Sequence, residues 1–312
     1  MELLHELPPP EPGGSGSVVT IGSFDGVHLG HQRLIRRVRA TADRRGMTAV
    51  AVTFDPHPRC VVDPSGCPLM LTSLEERVAL LEGAGAERVV VVAFTRELSR
   101  WSAERFAGLL TERLDMRELI VGPGFALGRG REGDVEFLGR FGARRGFTVT
   151  SVAAWNRGGR RISSGRIREA MEALRFSEAI AMLGRPYVLA GLVERGEGRG
   201  TGLGVPTANL AVEPDRCIPG PGVYAGWCDL GDGWRPAATG IGTRPTFGGG
   251  SLTIEAHVLD FTGDLYGRTV RLALARRLRS ERAFASIAAL KEAMAADIRR
   301  TREITTREAP PA

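Results

Sequence analysis

Gly22-Ser23-Phe24-Asp25-Gly26-Val27-His28-Leu29-Gly30-His31-Gln32 is the stretch on which the reading of this chain turns. The five residues before it, Ser17-Val18-Val19-Thr20-Ile21, form a short apolar run of the kind that makes a buried strand. After it, Leu29, Ile35 and Val38 recur at near-helical spacing, so a helix is expected to begin near Leu29. The motif then occupies a strand-to-helix turn, the place where an open α/β sheet faces its ligand crevice. Gly22, Gly26 and Gly30 let backbone come close to a ligand. A helix N-terminus adds free N–H groups and a positive dipole end, which suit phosphate. His28 and His31 lie three apart and share one face of the incipient helix. Two imidazoles there can donate hydrogen bonds to phosphate oxygens that gain charge in a transition state. Taken as four letters, H-x-G-H is weak evidence and reads more readily as two surface histidines beside a turn.

The rest of the N-terminal half repeats the alternation. Apolar runs at 49–54, 89–94, 119–121 and 147–152 read as further strands. Helical segments are expected near 29–44, 73–82, 102–114 and 132–145, with Ser102 as a cap for the third. Uninterrupted apolar strands alternating with helices imply a parallel, doubly wound sheet, a Rossmann-like α/β domain. Near Gly184 helical periodicity gives way to short alternating strands at 187–193, 207–212, 222–228, 236–241, 251–259 and 270–278. Asp232-Gly233 is a hairpin signal between two of them. This spacing predicts a small antiparallel β-barrel, closed by a terminal helix over 284–300 with Ile287, Leu290, Met294 and Ile298 on its packing face. The expected divisions are a flexible Pro- and Gly-rich tail over 1–16, an α/β domain over 17–184 and an all-β domain over 185–312.

Composition narrows the classes. With 43% hydrophobic and 25% charged residues over 312 positions, the chain is an ordinary globular protein of two domains. The acidic, Pro-rich start lacks the basic and apolar regions of a signal peptide, and no apolar run is long enough to span a bilayer, so a cytoplasmic protein is expected. The net charge of +6 comes from scattered arginines with no basic block, which argues against nucleic acid as a partner. Lys291 is the sole lysine, so neither a Walker A loop nor a protein-kinase strand lysine is available. Any phosphoryl transfer must rest on arginine, backbone N–H groups and Mg²⁺. Cys60, Cys67, Cys217 and Cys228 show no zinc spacing and are expected to be reduced, structural thiols.

The eleven-residue motif in this context resembles the nucleotidyltransferase motif of the bifunctional riboflavin kinase/FAD synthetase family, prokaryotic type. Further segments resemble the same family. Thr53-Phe54-Asp55-Pro56-His57-Pro58 matches T-F-[DE]-P-H-P, whose prolines force an exposed loop. Residues 121–134, VGPGFALGRGREGD, follow V-G-x-[DN]-F-x-F-G-x-x-R-x-G-D, and 162–168, ISSGRIR, follow I-S-S-[TS]-x-I-R. In the second half, 196–210 resemble the riboflavin kinase signature, and 240–247, 254–267 and 278–284 match further family segments.

The resemblance implies ATP-dependent phosphorylation of riboflavin to FMN in the C-terminal domain and adenylylation of FMN to FAD in the N-terminal one, both with Mg²⁺. It implies catalytic roles for His28, His31 and Glu255. Glu255 would accept the ribityl 5′-hydroxyl proton. ATP is expected at Gly22, Phe24, Asp25, Gly26, His28, His31, Ser163, Ser164 and Arg168, and at Gly196, Gly204 and Asn209 in the second domain. The flavin is expected at Phe54, His57, Phe125, Arg131, Asp134 and Arg279, and the metal at Thr207 and Asn209, whose oxygens suit Mg²⁺. Arg279 could equally form a salt bridge with Glu281 or another carboxylate. Gly124, Gly165, Thr201 and Gly240 stand where the family carries polar residues. That leaves open a divergent relative with one activity or a modified flavin, and a non-catalytic flavin-binding regulator. The intact histidine pair and Glu255 speak against the last.

Overall fold

The structure, a computed structural model, describes residues 2–5, 7–9, 14–195, 205–244 and 251–311. Two compact units divide between Ser164 and Gly165.

The first unit is a six-stranded parallel sheet of β1 (Glu2–Leu4), β2 (Ser17–Ile21), β3 (Thr48–Asp55), β4 (Arg88–Ala93), β5 (Met116–Val121) and, after the short β-ribbon strands β6 (Ala126–Leu127) and β7 (Gly133–Asp134), β8 (Thr148–Ser151). The strand order is β1-β4-β3-β2-β5-β8. The chain steps outward from β2 to β3 and β4, then returns to β5 on the other side of β2. That reversal puts a crevice at the carboxyl ends of β2 and β5. Helices α1 (Leu29–Arg45), α2 (Pro58–Val62), α3 (Leu74–Gly83), α4 (Ala103–Leu114) and α5 (Val135–Arg145) connect the strands. Successive strand residues serve opposite faces. Val18, Ala49, Ala51 and Val89 pack on Leu34, Ile35 and Leu81 of α1 and α3. Val19, Val50, Val52 and Val90 pack on Phe106, Leu110 and Leu138 of α4 and α5. Burial on both faces is why these strands read as unbroken apolar runs.

Three expectations are corrected here. The tail is tied down at its start: β1 pairs parallel with β4, Arg88 Nε meets Glu2 Oε2 at 2.5 Å, and Leu4 and Leu7 pack against the core. Edge pairing with β4 needs a partner nearly ninety residues away, which no local pattern reveals. The Pro56–Pro58 segment is not all loop. Pro58 opens α2, where its missing N–H costs nothing and its fixed φ is preorganised. The turn that follows brings Cys60 and Cys67 to a Cα separation of 4.3 Å, and they form a disulfide. Cys217 and Cys228 are buried thiols outside any disulfide, as expected, and burial pushes the Cys228 thiol up to about 12.

The first unit ends with the antiparallel pair β9 (Asn156–Arg157) and β10 (Arg160–Arg161), and α6 (Ser164–Glu172) follows in the chain. The second unit continues with α7 (Phe176–Leu183) and a closed antiparallel barrel of β11 (Tyr187–Glu194), β12 (Ala208–Ala211), β13 (Gly222–Asp229), β14 (Trp234–Arg244), β15 (Ser251–Val258) and β16 (Thr269–Arg279), in the order β11-β12-β15-β14-β13-β16. The period-2 pattern decides which side chains fill it. On β15, Ile254, Ala256 and Val258 are buried, while Glu255 and His257 between them are half-buried on the other face.

The unit boundary lies earlier than the Gly184 expected from periodicity. Periodicity ends where α7 ends, but α6 and α7 pack with the barrel: the Phe176 and Tyr224 rings meet edge to face at 4.9 Å, and the Met171 carbonyl accepts from Gly220 N–H. The terminal helix α8 (Ile287–Arg307) also starts later than expected, capped by Ser286, whose Oγ accepts from Ala289 N–H at 3.2 Å. Ile287 is 67% exposed, and the buried residues are Asp297 and Thr301. Asp297 can be buried because Arg279 holds its carboxylate through Nε–Oδ2 at 3.0 Å and Nη2–Oδ2 at 2.8 Å.

Candidate functional site

The loop leaving β2 departs from ordinary backbone at several residues. Phe24 (φ 49°), Gly26 (φ 79°) and Val27 (φ 33°) all have positive φ. A β-branched residue there is a genuine outlier, and such strain persists only where surroundings over-determine it. Asp25 is the main clamp. It is fully buried, and its Oδ1 accepts from Leu71 N–H (2.9 Å), Thr72 N–H (3.1 Å) and the Thr72 hydroxyl (3.3 Å). Thr72 in turn accepts from Gly26 N–H at 3.1 Å. The Asp25 carboxylate, expected to face ATP, is turned into the protein and holds the loop that leads to His28. Asp25→Ala strands two buried N–H groups and is expected to cost about 3 kcal/mol of stability, read as a shift in the urea midpoint at unchanged slope.

His28 caps α1: its Nδ1 accepts from His31 N–H at 3.3 Å. With Nδ1 so engaged, the neutral ring carries its proton on Nε2 and can donate from there. The His28 and His31 rings stack with centroids 3.6 Å apart and an interplanar angle of 17°. Phe24 meets His31 edge to face at 5.2 Å. His28 is only 5% exposed.

Two adjoining cavities open at the switch point. The smaller, of about 330 Å³, is lined by Gly22, Phe24, His28, His31, Gly124 and Trp155 among others. Polar and cationic groups, with Arg131 and Arg161 at the rim, give it the character of a phosphate site. The larger, of about 790 Å³, is walled by Phe54, Phe94, Trp101, Phe106, Phe125 and Leu127, with His57 and Arg131. Its aromatic walls and size fit a flat ring system. Ile21, Gly22, Ser23, Phe125 and Arg131 line both, so the cavities are neighbours. His57 caps α2 as His28 caps α1, its Nδ1 accepting from Arg59 N–H at 3.1 Å. Arg131 donates to the Gly124 carbonyl at 2.7 Å. The two nucleotide motifs meet: Ser164 donates to the Asp25 carbonyl at 2.8 Å across 139 residues. Ser163 precedes α6 directly, and Arg168 lies on α6 within the second unit, half-buried.

Four of the expected flavin residues, Phe54, His57, Phe125 and Arg131, thus gather on one cavity. Two do not. Asp134 caps α5, its Oδ1 accepting from Phe137 N–H at 2.8 Å. Arg279 is engaged by Asp297 on α8, the carboxylate pairing left open from the sequence. Missed altogether were Phe94, Leu98, Trp101 and Phe106, which form the apolar wall. Their only signal is aromatic content just after β4, and that reads equally as core.

In the barrel, Asn209 on β12 sits in register with Glu255 on β15. The Thr207 hydroxyl donates to Glu255 Oε2 at 3.4 Å. His257 Nδ1–H donates to the Pro206 carbonyl at 2.8 Å, pinning the segment that carries Thr207. Gly240 faces Glu255 from β14 and leaves open space beside it. Gly196, Gly204 and Thr201 lie outside the described residues. Hydroxyl, amide and carboxylate oxygens side by side fit Mg²⁺, which takes few protein ligands and shares its shell with substrate phosphates. Among the described residues no group of three or more His, Cys, Asp or Glu is placed to hold a metal ion.

Comparison with known proteins agrees with this geometry. A family model described as FAD synthetase matches residues 12–166, and one described as riboflavin kinase matches residues 183–305. The bifunctional riboflavin kinase/FMN adenylyltransferase of Pseudomonas fluorescens is 39% identical, over 97% of this chain and 98% of its own. Its counterpart in Escherichia coli K12 is 37% identical over 94% and 92%, and that of Bacillus subtilis 31% over 90% and 90%. Among solved structures, a Streptococcus pneumoniae protein described as a macrolide-efflux protein aligns with a TM-score of 0.87 at 27% identity, over 96% of this chain and 98% of its own. Among the described residues no helix is long and apolar enough to cross a membrane. With one matched unit following the other in the same order, over almost the full length of these relatives, the chain belongs to the bifunctional riboflavin kinase/FMN adenylyltransferase family.

Proposed function

We propose that the first unit adenylylates FMN and the second phosphorylates riboflavin, each with ATP and Mg²⁺, at the residues brought together above. In the first reaction a phosphate oxygen of FMN attacks the α-phosphorus of ATP and pyrophosphate leaves. No protein nucleophile is required. The isoalloxazine lies in the larger cavity among Phe54, His57, Phe125 and Arg131, and the triphosphate in the smaller. His28 and His31 donate to phosphate oxygens as charge builds, with Ser163 and Ser164 completing the first unit's part of the ATP site. In the second reaction the 5′-oxygen of riboflavin attacks the γ-phosphorus of ATP, ADP leaves, and Glu255 takes the hydroxyl proton. Thr207 and Asn209 are the oxygen ligands for Mg²⁺, which when bound neutralises phosphate charge. The reading includes a cytoplasmic location and no nucleic-acid partner.

The observation that carries this reading is the stacked His28–His31 pair on a polar cavity adjoining an aromatic-walled one. A binding protein needs neither that pair nor a carboxylate set beside Thr207, so turnover is favoured over a flavin-binding regulator. The test is direct. Purified protein is incubated with riboflavin, ATP and Mg²⁺, and products are resolved by chromatography. FMN followed by FAD is expected. FMN alone would show that adenylyl transfer is lost, as the substitutions at Gly124 and Gly165 would allow. Neither product, with riboflavin still bound, would establish the regulator.

A further inference from the structure

Arg77 has no part in the chemistry above, yet it is the most unusual charge in the first unit. It projects from α3, is only 3% exposed, and sits beneath the carboxyl ends of β2 and β3. Its Nη1 donates to the Phe54 carbonyl (2.9 Å), the Ser23 carbonyl (3.0 Å) and Thr53 Oγ1 (3.3 Å). Thr53 Oγ1 donates in turn to the Ser23 carbonyl at 3.2 Å. Burial pulls the guanidinium below its usual range, against the field of Asp25, Asp55 and Glu75. Its ion pair is long, Nη2 to Asp55 Oδ1 at 3.8 Å, and that carboxylate is half-exposed. A buried cation so weakly paired is costly, and an apolar side chain of the same volume would fill this position at less cost.

The geometry points to what the charge does. Ser23 lines both cavities and Phe54 lines the larger one. A trans peptide is planar, with its C=O and N–H opposed. Drawing the Ser23 carbonyl inward turns the Phe24 N–H away from Arg77, and it holds Phe24 in its left-handed conformation. The bond to Phe54 does the same for the first peptide of the loop that leads to His57. Asp25 clamps the β2 loop to residues 71–72. Arg77 is the only described residue that ties the β2 loop to the β3 loop through both backbone carbonyls. We infer that Arg77 is a positioning residue for adenylyl transfer: it fixes the spacing of the loop that carries His28 and His31 against the loop that carries Phe54 and His57, so that nucleotide and flavin phosphate meet in line. This rests on the adenylyl-transfer reading of the first unit.

The experiment uses the full chain carrying Arg77→Met, Arg77→Lys or Thr53→Val. FAD formation from supplied FMN and FMN formation from riboflavin are measured in the same preparation, so the barrel reports on concentration and handling. Misplacement of reacting groups by about an ångström is worth about 100-fold in rate. Arg77→Met is therefore expected to lower kcat for FAD formation about 100-fold, with KM for FMN changed about 3-fold or less and riboflavin phosphorylation unchanged. Arg77→Lys restores charge and a donor without the fork, and should recover about tenfold of that loss. Thr53→Val, a milder change, should lower kcat in the same direction. Wild-type kcat in Arg77→Met overturns the inference. So does a loss shared by kcat, KM and thermal midpoint that lysine does not rescue, since that is the signature of a merely structural ion. If the wild-type chain makes no FAD, the adenylyl-transfer reading fails before any variant is compared.

Discussion

Glu255→Gln is expected to lower FMN formation from riboflavin by about 10³-fold while leaving the conversion of supplied FMN to FAD at its wild-type rate. A positioned base contributes about 10²–10⁴-fold to a proton transfer, and Glu255 is the carboxylate in register with Asn209 and bonded by Thr207. Glutamine keeps the length and still accepts from the Thr207 hydroxyl, so the loss isolates the missing base. Alanine removes the contact as well and should do at least as much damage. The check is a paired assay by chromatography, one arm supplied with riboflavin and the other with FMN. Glu255 lies on the barrel and the histidine pair lies in the other unit. An equal loss in both arms would therefore defeat the assignment of separate sites.

The reciprocal result is expected of the histidines. His31→Ala should reduce FAD formation about 10²- to 10³-fold, the size of effect seen when one donor to a developing oxyanion is lost, with riboflavin phosphorylation unaffected. His28 needs a more careful variant. Its Nδ1 caps α1, so alanine also removes a cap worth about 1 kcal/mol. His28→Asn restores a capping acceptor but supplies no imidazole Nε2–H. If His28 acts only as a cap, asparagine will restore FAD formation. If it donates to phosphate, asparagine will restore the thermal midpoint and leave turnover low. The double variant should lose little more than the worse single one, because stacked rings serving one triphosphate act as a unit.

How much of this was legible can be followed along the first loop. Its start and end follow from local pattern: a run of apolar residues before Gly22, helical periodicity after His28. The cap at His28 was not legible, because the usual capping residues are shorter and histidine at that place is recognised only by its bond to His31 N–H. Nor was the burial of Asp25. A carboxylate in a glycine-rich turn looks like a ligand, and only the approach of residues 71–72 from a distant segment shows which donors it satisfies. The aromatic wall suffered the opposite fate. Trp101 and Phe106 lie some fifty residues from the loops they face and look like core in a linear reading. Asp134 and Arg279 were drawn into the expected site by motif position, and each proved to satisfy a backbone or carboxylate partner nearby.

By itself the sequence determined the alternation of strand and helix, the change to a barrel, and the place of the glycine-rich turn between the second strand and the first helix. These follow from period and turn chemistry within a dozen residues. The tertiary structure alone decided that the order reverses at β2 and β5, and so which loops share a crevice. It alone decided that Cys60 and Cys67 pair, that Glu2–Leu4 joins the sheet edge, and that a buried arginine binds two loops. The reason is one of range. Propensity and amphipathic period act between neighbours in sequence. Partners for buried carbonyls, carboxylates and cations are set by strand order, which brings together groups that no local pattern connects.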